Sequence, residues 1–351
     1  MEHTNFDSEF NKKYSLITRK ILRMLSEDSR TSISSLSKSL GVSRATIKNR
    51  VDAIEKALQI HYTLELDEKA LHISNPRFVS VRFSSKPDYA EIARMLRESY
   101  IPQFAATAKG AQGDYLFIYA NSPSADDYIH WDKTMQIKMS KYKVLWESSE
   151  IAHKQLGFFP ARNELIDKLD INDRYKTILK ILNDNSRITF HQISQKTGMH
   201  FNTVAYYFNN LLKLGYVKKF TLVCKPQNDV HIEAIFGKYM LADDFESDAA
   251  RIRKVFKADE ELSAFSRYPV IFQLIGTHDF FDIGVFDSQK AAYENFVSAY
   301  RTILKRHVSK LYHCRIGDAI LGYLPVRSVD DSKEYSVMKW TTDEPKAETN
   351  N

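Results

Sequence analysis

Residues 43–50, with the sequence SRATIKNR, concentrate hydrogen-bond donors and positive charge in one short segment. If the segment begins a helix, an apolar stripe forms on one face, because residues three and four apart are neighbours on a helix. The stripe consists of Ile47, Val51, Ile54 and Leu58. Lys48 and Asn49 then point away from it, where ammonium and amide groups can donate hydrogen bonds to a ligand and attract anionic groups. Taken alone, the segment also fits a solvated surface helix, so its neighbours must decide.

Other residue types that carry chemistry show no organised pattern. Cys224 and Cys314 lie far apart without a CxxC motif or a Cys/His cluster, so we expect neither a disulfide framework nor a structural zinc site. His278 precedes Asp279, but one adjacent pair is weak evidence for catalysis or metal binding, and the other histidines are scattered. The sequence therefore predicts no catalytic residues, no metal site and no cofactor.

Two regions of the chain are each predicted to hold three helices. The helices cover residues 14–27, 33–40 and 43–58, and then 173–184, 190–197 and 200–214. Gly41 and Gly198 follow the middle helix of each region, where a left-handed C-terminal turn favours glycine. Ser43 is placed to cap the next helix. Two short helices joined by such a turn form a helix-turn-helix, whose second helix enters the DNA major groove.

The two regions are copies of each other with an offset of 157 residues. The offset aligns ILRML at 21–25 with ILKIL at 178–182, and it keeps Ser29-Arg30 in step with Ser186-Arg187. Positive charge follows the repeat. Residues 12–56 hold eleven Lys/Arg against four Asp/Glu, and residues 172–225 hold nine against two, although the whole chain carries only +6. Such concentration is expected where particular domains meet a polyanion.

The regions after each helical set also repeat, with an offset of 165 residues. Asp114-Tyr115-Leu116 aligns with Asp279-Phe280-Phe281, and LGFFP at 156–160 aligns with LGYLP at 321–325. Each region shows strand and helix patterns in the order β-α-β-β-α-β, which is the ferredoxin-like arrangement. The fold class predicted is α+β, with two winged helix-turn-helix domains alternating with two ferredoxin-like domains.

The predicted domain bounds follow from these repeats. They are a winged helix-turn-helix at 14–66, a ferredoxin-like domain at 76–160, a second winged helix-turn-helix at 172–225, a second ferredoxin-like domain at 230–325, and a flexible tail at 326–351. A polar linker at 162–173 joins the halves. The chain has no apolar run of about 18 residues and no secretion signal, so we expect a cytoplasmic protein without a membrane partner.

The first copy is predicted to bind double-stranded DNA through its third helix. Arg44 and Lys48 can pair with guanine and Asn49 with adenine, while flanking positive charge such as Arg50 contacts phosphates. Ser43 and Thr46 complete the predicted surface.

The second copy has no Lys or Arg in the corresponding helix. It presents His200, Asn202, Thr203 and Tyr206, and its charge lies in the stretch LGYVKKFTLVCK, a predicted wing that contains Lys218 and Lys219. Two interpretations remain open. The copy reads a different half-site through Asn and Tyr, with the wing on phosphates, or it has lost base readout and packs against protein.

The segment ILRMLSEDSRTSISSLSKSLGVSRATIKNRVDAIEKAL resembles the DNA-binding region of the Lrp/AsnC, or feast/famine, transcriptional regulators. GTHDFFDIGVF is similar to that family's effector-domain turn. The resemblance implies effector domains that pair sheet to sheet and a turn that binds an amino acid or similar small molecule. The matching turn positions are Gly110, Asp114, Gly276, Thr277 and Asp279. A simple tight β-turn explains these residues equally well.

Family members usually carry one copy of each domain and form dimers. This chain carries both twice, so we expect one chain to imitate the dimer, with recognition helices roughly 34 Å apart and an asymmetric operator. Further self-association through the ferredoxin-like domains is a possible addition. Two rival functions were weighed. Siroheme decarboxylases resemble these regulators in both domains, but the segments FAATAKGAQGDYLF and YPVIFQLIGTHDFF lack their Arg/Tyr-rich and Trp-Pro-Tyr-type patterns. A nonspecific architectural DNA protein would show strong salt dependence and little sequence preference.

Overall fold

The computed structural model describes residues 16–73, 75–156, 158–223, 231–240, 270–286, 297–303 and 307–323. The first half begins with α1 (Leu16–Glu27), α2 (Ile33–Leu40), α3 (Arg44–Leu58) and β1 (His61–Leu66). It continues with β2 (Arg77–Phe83), α4 (Tyr89–Arg97), β3 (Pro102–Gly110), β4 (Gly113–Ala120), α5 (Ala125–Met139), a 3-10 turn (Ser140–Tyr142) and β5 (Val144–Leu156).

The described elements of the second half follow a similar order, with one additional short helix at the start. This half contains α6 (Asn163–Asp167), α7 (Asp173–Asp184), α8 (Phe190–Thr197), α9 (Phe201–Lys213), β6 (Val217–Val223), β7 (His231–Tyr239), β8 (Val270–Gly276), β9 (Phe280–Phe286), α10 (Ser298–Ile303) and β10 (Val308–Leu321). The predicted tail at 326–351 and Cys224 lie outside the described residues, as do residues 241–269 and 287–296 of the second predicted ferredoxin-like domain. Among the helices that are described, none combines the length and apolar character needed to cross a bilayer.

The helix ends of both helix-turn-helix units have the local chemistry that the sequence predicts. Gly41 and Gly198 adopt φ values of 65° and 70°, and an added Cβ at either would meet open space, so backbone conformation rather than crowding calls for glycine there. Ser43 caps α3 by accepting the Thr46 N–H at 3.1 Å. We call α1–α3 the first reader and α7–α9 the second reader.

The linker at 162–173 is more ordered than its polar composition suggests. It contains the short helix α6, and three of its apolar side chains are buried in the core of the second reader: Leu165, Ile166 and Leu169. Asn183 of α7 fixes the linker further, since its amide donates to Asn163 Oδ1 at 3.1 Å. The segment therefore extends the second reader instead of acting as a loose connection.

The stretch predicted as the wing of the second reader forms the strand β6. β6 pairs antiparallel with β1 in a two-stranded ribbon, with His61 opposite Val223 and Leu66 opposite Val217. We call β1 and β6 together the ribbon. It joins the readers because one strand comes from each half of the chain.

The ribbon exchanges side chains between the two readers. Leu222 of β6 packs into the core of the first reader, and Leu64 of β1 packs into that of the second. Burying one such leucine contributes about 1.5–3 kcal/mol. On the other face, Thr221 donates to the Ser26 carbonyl at 2.7 Å, and Thr63 donates to Asn183 Oδ1 at 3.0 Å. The two readers and the ribbon therefore form one structural unit.

The remaining strands form one closed sheet in the order β10-β3-β4-β2-β5-β8-β9-β7, with β7 returning to β10. Each half contributes four consecutive strands in the same internal order, namely second, third, first and fourth. Two seams, β3 with β10 and β5 with β8, join the halves. Because the sheet is closed, the edge strands of each half are paired with edge strands of the other half.

Aromatic rings fill the interior of the closed sheet and connect its halves. Phe78 of the first half stacks on Phe281 of the second with ring centroids 4.0 Å apart, and Phe117 meets Phe236 edge to face at 5.2 Å. Such pairs contribute about 0.5–1.5 kcal/mol beyond simple burial. The outer face of the first four strands is covered by α4 and α5, and Trp131 and Met135 of α5 are buried against it.

In the β3–β4 and β8–β9 hairpins, residues that are 165 apart in sequence point to opposite faces of the sheet. It equates Tyr115 with Phe280, but Tyr115 lies in the interior whereas Phe280 stacks on Tyr239 and Tyr300 on the helix side. Phe281, one residue later, faces the interior. A shift of one residue reverses every side chain in a strand, so an offset of 166 matches the faces.

Candidate nucleic-acid interface

The outer face of α3 carries the donors that the sequence places there. Arg44, Lys48 and Asn49 are exposed, whereas Ile47 and Val51 on the opposite face are buried in the core of the first reader. Within the described residues, no ion pair engages the side chain of Arg44 or Lys48. The row is therefore available to a ligand that offers acceptors and negative charge.

Ser43, Thr46 and Arg50 serve mainly the scaffold of this helix. Ser43 and Thr46 hydroxyls lie 2.9 Å apart at its N-terminus. Arg50 is half-buried, and its guanidinium donates to Thr18 Oγ1 on α1 at 3.0 Å. The structure thus sets Arg50 apart from the exposed row and gives it a role in orienting α3.

The outer face of α9 is exposed as well but differs in chemistry. His200 caps the helix by accepting the Asn202 N–H at 3.2 Å, as Ser43 caps α3. Asn202 is exposed, Thr203 is half-buried, and the Tyr206 side chain is 61% exposed. Sequence reasoning missed Phe201, the first residue of α9, which is 46% exposed on the same helix.

Lys218 and Lys219 do not form a free wing. Both lie on β6 inside the ribbon, with Lys219 opposite Glu65. Lys218 Nζ lies 2.8 Å from Glu65 Oε1, and its side chain is about half exposed. Both lysines thus lie in the connection between the readers, and their contact with phosphates stays a prediction.

Reciprocal contacts relate the two readers across the ribbon. Ser29 Oγ and Ser186 Oγ lie 2.6 Å apart and are both buried. Arg30 donates to the Ser186 and Ile188 carbonyls, and Arg187 donates to the Ser29 carbonyl at 2.7 Å. The same two-residue motif from each repeat therefore holds the other reader, and a local two-fold relation follows.

Arg30 also penetrates the aromatic core of the second reader. Its guanidinium lies 4.9 Å from the ring centroid of Phe208 and 5.5 Å from that of Phe220. Burial lowers the pKa of Arg30, yet its charge is held by carbonyl and ring contacts. Sequence reasoning noted the Ser-Arg pair as a marker of the repeat but missed its role, since partners 157 residues apart give no local signal.

The five predicted effector positions occupy separate places in the closed sheet. Gly110 lies on the β3–β10 seam opposite Cys314, and Gly276 lies on the β5–β8 seam opposite Ser149. Around the sheet β4 and β2 separate these seams. Asp114 and Thr277 are half-buried. Asp279 has a scaffold contact, because its Oδ2 accepts the Tyr239 N–H at 2.9 Å.

Gly110 and Gly276 are explained by close approach and by backbone conformation. A Cβ at Gly110 would lie 2.7 Å from Cys314 Sγ and 3.1 Å from the His313 carbonyl. Gly276 adopts a φ of 135°, which side chains rarely tolerate. The structure therefore supplies a packing reason for both glycines.

His278 is the most unusual polar group that sequence reasoning set aside. Its ring is 1% exposed, and Nε2 lies 3.2 Å from Ser80 Oγ and 3.4 Å from Glu147 Oε2, both in the first half. Burial lowers the pKa of His278 to about 4, and the positive charges of Lys310 and Lys238 act in the same direction. Among the described residues, no set of three His, Cys, Asp or Glu side chains could hold a metal ion.

Both readers match known helix-turn-helix families. Residues 17–55 match the AsnC-type helix-turn-helix domain, and residues 171–218 match a winged helix-turn-helix DNA-binding domain. An uncharacterized HTH-type transcriptional regulator of Pyrococcus horikoshii is 27% identical over 115 residues, and one of Pyrococcus abyssi is 24% identical over the same length. Each match spans 32% of this chain and 66% of the relative, just under two thirds.

A solved structure also matches nearly the whole chain in fold. The siroheme decarboxylase NirDL aligns over 91% of this chain and 96% of its own, with a TM-score of 0.55 and 12% identity. At that identity the likeness concerns the fold alone. The chain therefore carries an AsnC-type helix-turn-helix domain at residues 17–55 and a second, winged helix-turn-helix domain at residues 171–218.

Proposed function

We propose that the chain is a sequence-specific DNA-binding transcriptional regulator in which one polypeptide supplies both reading helices. The observation that carries this proposal is the exposed row Arg44, Lys48 and Asn49 on α3, whose opposite face is locked in the core of a helix-turn-helix. Arginine and lysine pair with guanine and asparagine pairs with adenine in the major groove. The row thus offers a reading surface and not only a cationic patch.

The shared ribbon supports a paired arrangement of the readers. Because Ser29, Arg30 and their counterparts hold the readers together, α3 and α9 would approach one duplex as a unit. Two recognition helices related by a local two-fold address half-sites about one DNA turn apart. Since the exposed residues of α3 and α9 differ, the operator would be asymmetric.

The other parts of the proposal concern domains and regulation. We assign residues 76–160 and 230–325 to two ferredoxin-like domains, because their strands share one internal order. Both seams are paired within the chain, so the contacts that two subunits would otherwise make are already present in one polypeptide. One chain would therefore occupy one operator. A small-molecule effector would act through the turns at Gly110–Asp114 and Gly276–Asp279, although packing explains both glycines without one.

The test is selection of binding sites from a random duplex library with the full chain at about 150 mM salt. We expect enrichment of a defined site bound at least roughly 10³-fold more tightly than random duplex. Equal affinity for enriched and random duplexes, with steep salt dependence, would replace the proposal with nonspecific architectural binding.

The fold match to NirDL favours one second candidate, a siroheme-decarboxylase-like enzyme. Titration of the chain with an iron tetrapyrrole, followed by its visible absorbance, separates the candidates. Saturable spectral change together with release of carbon dioxide would support the enzyme. A regulator without this activity leaves the spectrum unchanged.

A further inference from the structure

We propose that the two reading helices divide the operator by base composition, with α3 on a guanine-containing half-site and α9 on an A·T half-site. This inference rests on the proposed function and specifies the DNA that the second reader recognises. It starts from the caps, which make His200 of α9 the counterpart of Ser43 of α3.

The charged positions of α3 are neutral in α9 as far as the last turn, where Lys213 matches Lys56. In this alignment Phe201 replaces Arg44, Ala205 replaces Lys48, and Asn209 replaces Asp52. Along the exposed face of α9 no charge occurs before Lys213 in its last turn. A surface without charge gains little from phosphates, so its binding energy must come from base edges or from apolar contacts.

The polar groups of this surface suit adenine. Asn202 and Asn209 are both exposed and lie seven residues apart, which places them on one side of the helix with Tyr206 between them. A carboxamide donates to adenine N7 and accepts from N6 in a bidentate pair. The charged donors that favour guanine are absent from these positions.

The aromatic groups suit thymine and are already held in place. Phe201 packs edge to face on Phe190 of α8 with centroids 6.0 Å apart. Tyr206 packs on Tyr207 at 5.3 Å, and Tyr207 in turn packs on Tyr175 of α7. Apolar contact with the 5-methyl group distinguishes thymine in the major groove. Rings fixed before binding lose little conformational freedom on contact.

A partner protein is the competing explanation for exposed aromatic residues. The reciprocal contacts at Ser29–Ser186 argue against it, because they hold α9 in the same relation to the ribbon as α3. A duplex lying on α3 would therefore continue toward α9. The A·T proposal commits to DNA, and docking of a protein becomes one outcome of the test.

The test uses the full chain and the site selected from a random library. Affinity is measured by fluorescence anisotropy for the parent site and for three analogues. One replaces thymine by uracil in the second half, one replaces adenine by 7-deazaadenine there, and one replaces guanine by 7-deazaguanine in the first half. The protein variants are Asn202→Ala and Asn209→Ala, with Gln195→Ala on α8 as the exposed control.

We expect 7-deazaadenine in the second half-site to weaken the affinity of the parent protein by about 5- to 150-fold. The variant that has lost the contacting asparagine should bind the adenine and 7-deazaadenine sites equally. The asparagine variants should keep the slope of log K against log salt, because neither side chain neutralises a phosphate. Arg44→Ala/Lys48→Ala should instead lose the discrimination between guanine and 7-deazaguanine in the first half-site. Gln195→Ala should match the parent.

A selected site whose second half is G·C-rich would overturn the inference while leaving the proposed function intact. A second half that tolerates every base would also overturn it and would indicate that α9 docks protein. Failure to select any site would overturn both. Circular dichroism of each variant checks that the exposed substitutions leave the fold unchanged.

Discussion

Ser29 Oγ lies 2.6 Å from Ser186 Oγ, although 157 residues separate them in the chain. The same 157 residues relate the two readers in sequence, so the contact joins equivalent positions of a duplicated unit. Contacts between equivalent residues occur where a two-fold axis passes, as in isologous dimer interfaces. A single chain has therefore acquired the kind of interface that two identical subunits would form.

Arg30→Ala tests this interface. The substitution removes a guanidinium that binds two carbonyls of the second reader and packs on its aromatic rings. We expect the free energy of unfolding to fall by about 2–3 kcal/mol, because buried carbonyls lose their donor. Urea denaturation followed by circular dichroism measures the loss.

The matched control for this variant is Arg174→Ala. Arg174 also lies near an aromatic ring, that of Tyr207, but is exposed. We expect a change below about 0.5 kcal/mol. Equal losses for the two arginines would show that Arg30 does not hold the readers together.

Arg44→Ala/Lys48→Ala tests the reading surface of α3. Both side chains are exposed, so the midpoint of thermal unfolding should stay near that of the parent. Affinity for the selected operator should fall, each lost base contact costing about 1–3 kcal/mol. Lys133→Ala, an exposed lysine on α5, is the control and should leave affinity unchanged. Parent-like affinity in the double variant would remove α3 from the interface.

His278→Gln tests the buried histidine at the junction of the two halves. The pKa of His278 is lowered to about 4 from an ordinary 6.5, so the folded protein binds fewer protons than the unfolded chain between these values. The contribution of the histidine to stability is therefore lost as pH falls from about 6.5 to about 4, by about 3 kcal/mol in total.

Glutamine does not titrate, so the stability of the parent relative to His278→Gln should decline across that pH window. The stability of the parent is compared with that of the variant because a second buried group also titrates. Burial raises the pKa of Asp282 to about 7, so its effect on stability is opposite to that of His278 over much of this pH window. Denaturant midpoints at half-unit pH steps provide the measurement. A difference independent of pH would mean that His278 titrates normally in the folded protein.

Gly110→Ala tests whether packing at the β3–β10 seam explains this glycine. The new methyl group would meet Cys314 Sγ at 2.7 Å, and we expect a loss of about 1–3 kcal/mol in the free energy of unfolding. Cys314→Ala removes the sulfur, so Gly110→Ala/Cys314→Ala should lose less than the sum of the single variants. Thermal unfolding of all four proteins measures the coupling. Additive losses would contradict the packing explanation.

The local elements were the most predictable part of the molecule. Helix bounds, the glycine turns and the Ser43 cap follow from residues close in sequence, and their positions are confirmed to within one or two residues. The ribbon was missed because its partners are distant. The alternation of LGYVKKFTLVCK fits a wing and a paired strand equally well, and only tertiary contact decides between them.

The faces of the hairpins show a second limit. The alignment was anchored on Asp114 and Asp279, whereas the direction of Tyr115 and Phe281 toward the interior fixes the true register. Packing and not acidic side chains sets register in a sheet with buried faces. His278 was discounted for a related reason, since a single histidine in a turn gives no sign that its ring will enter the opposite half.

The central claim is that one polypeptide supplies both reading helices for one operator, and the mass of the protein–DNA complex combined with its footprint tests that claim most directly. We expect one 40.7 kDa chain per selected duplex, protecting two unlike half-sites about 10 base pairs apart on one face of the DNA. Two chains on a palindrome with identical protected halves would contradict the account.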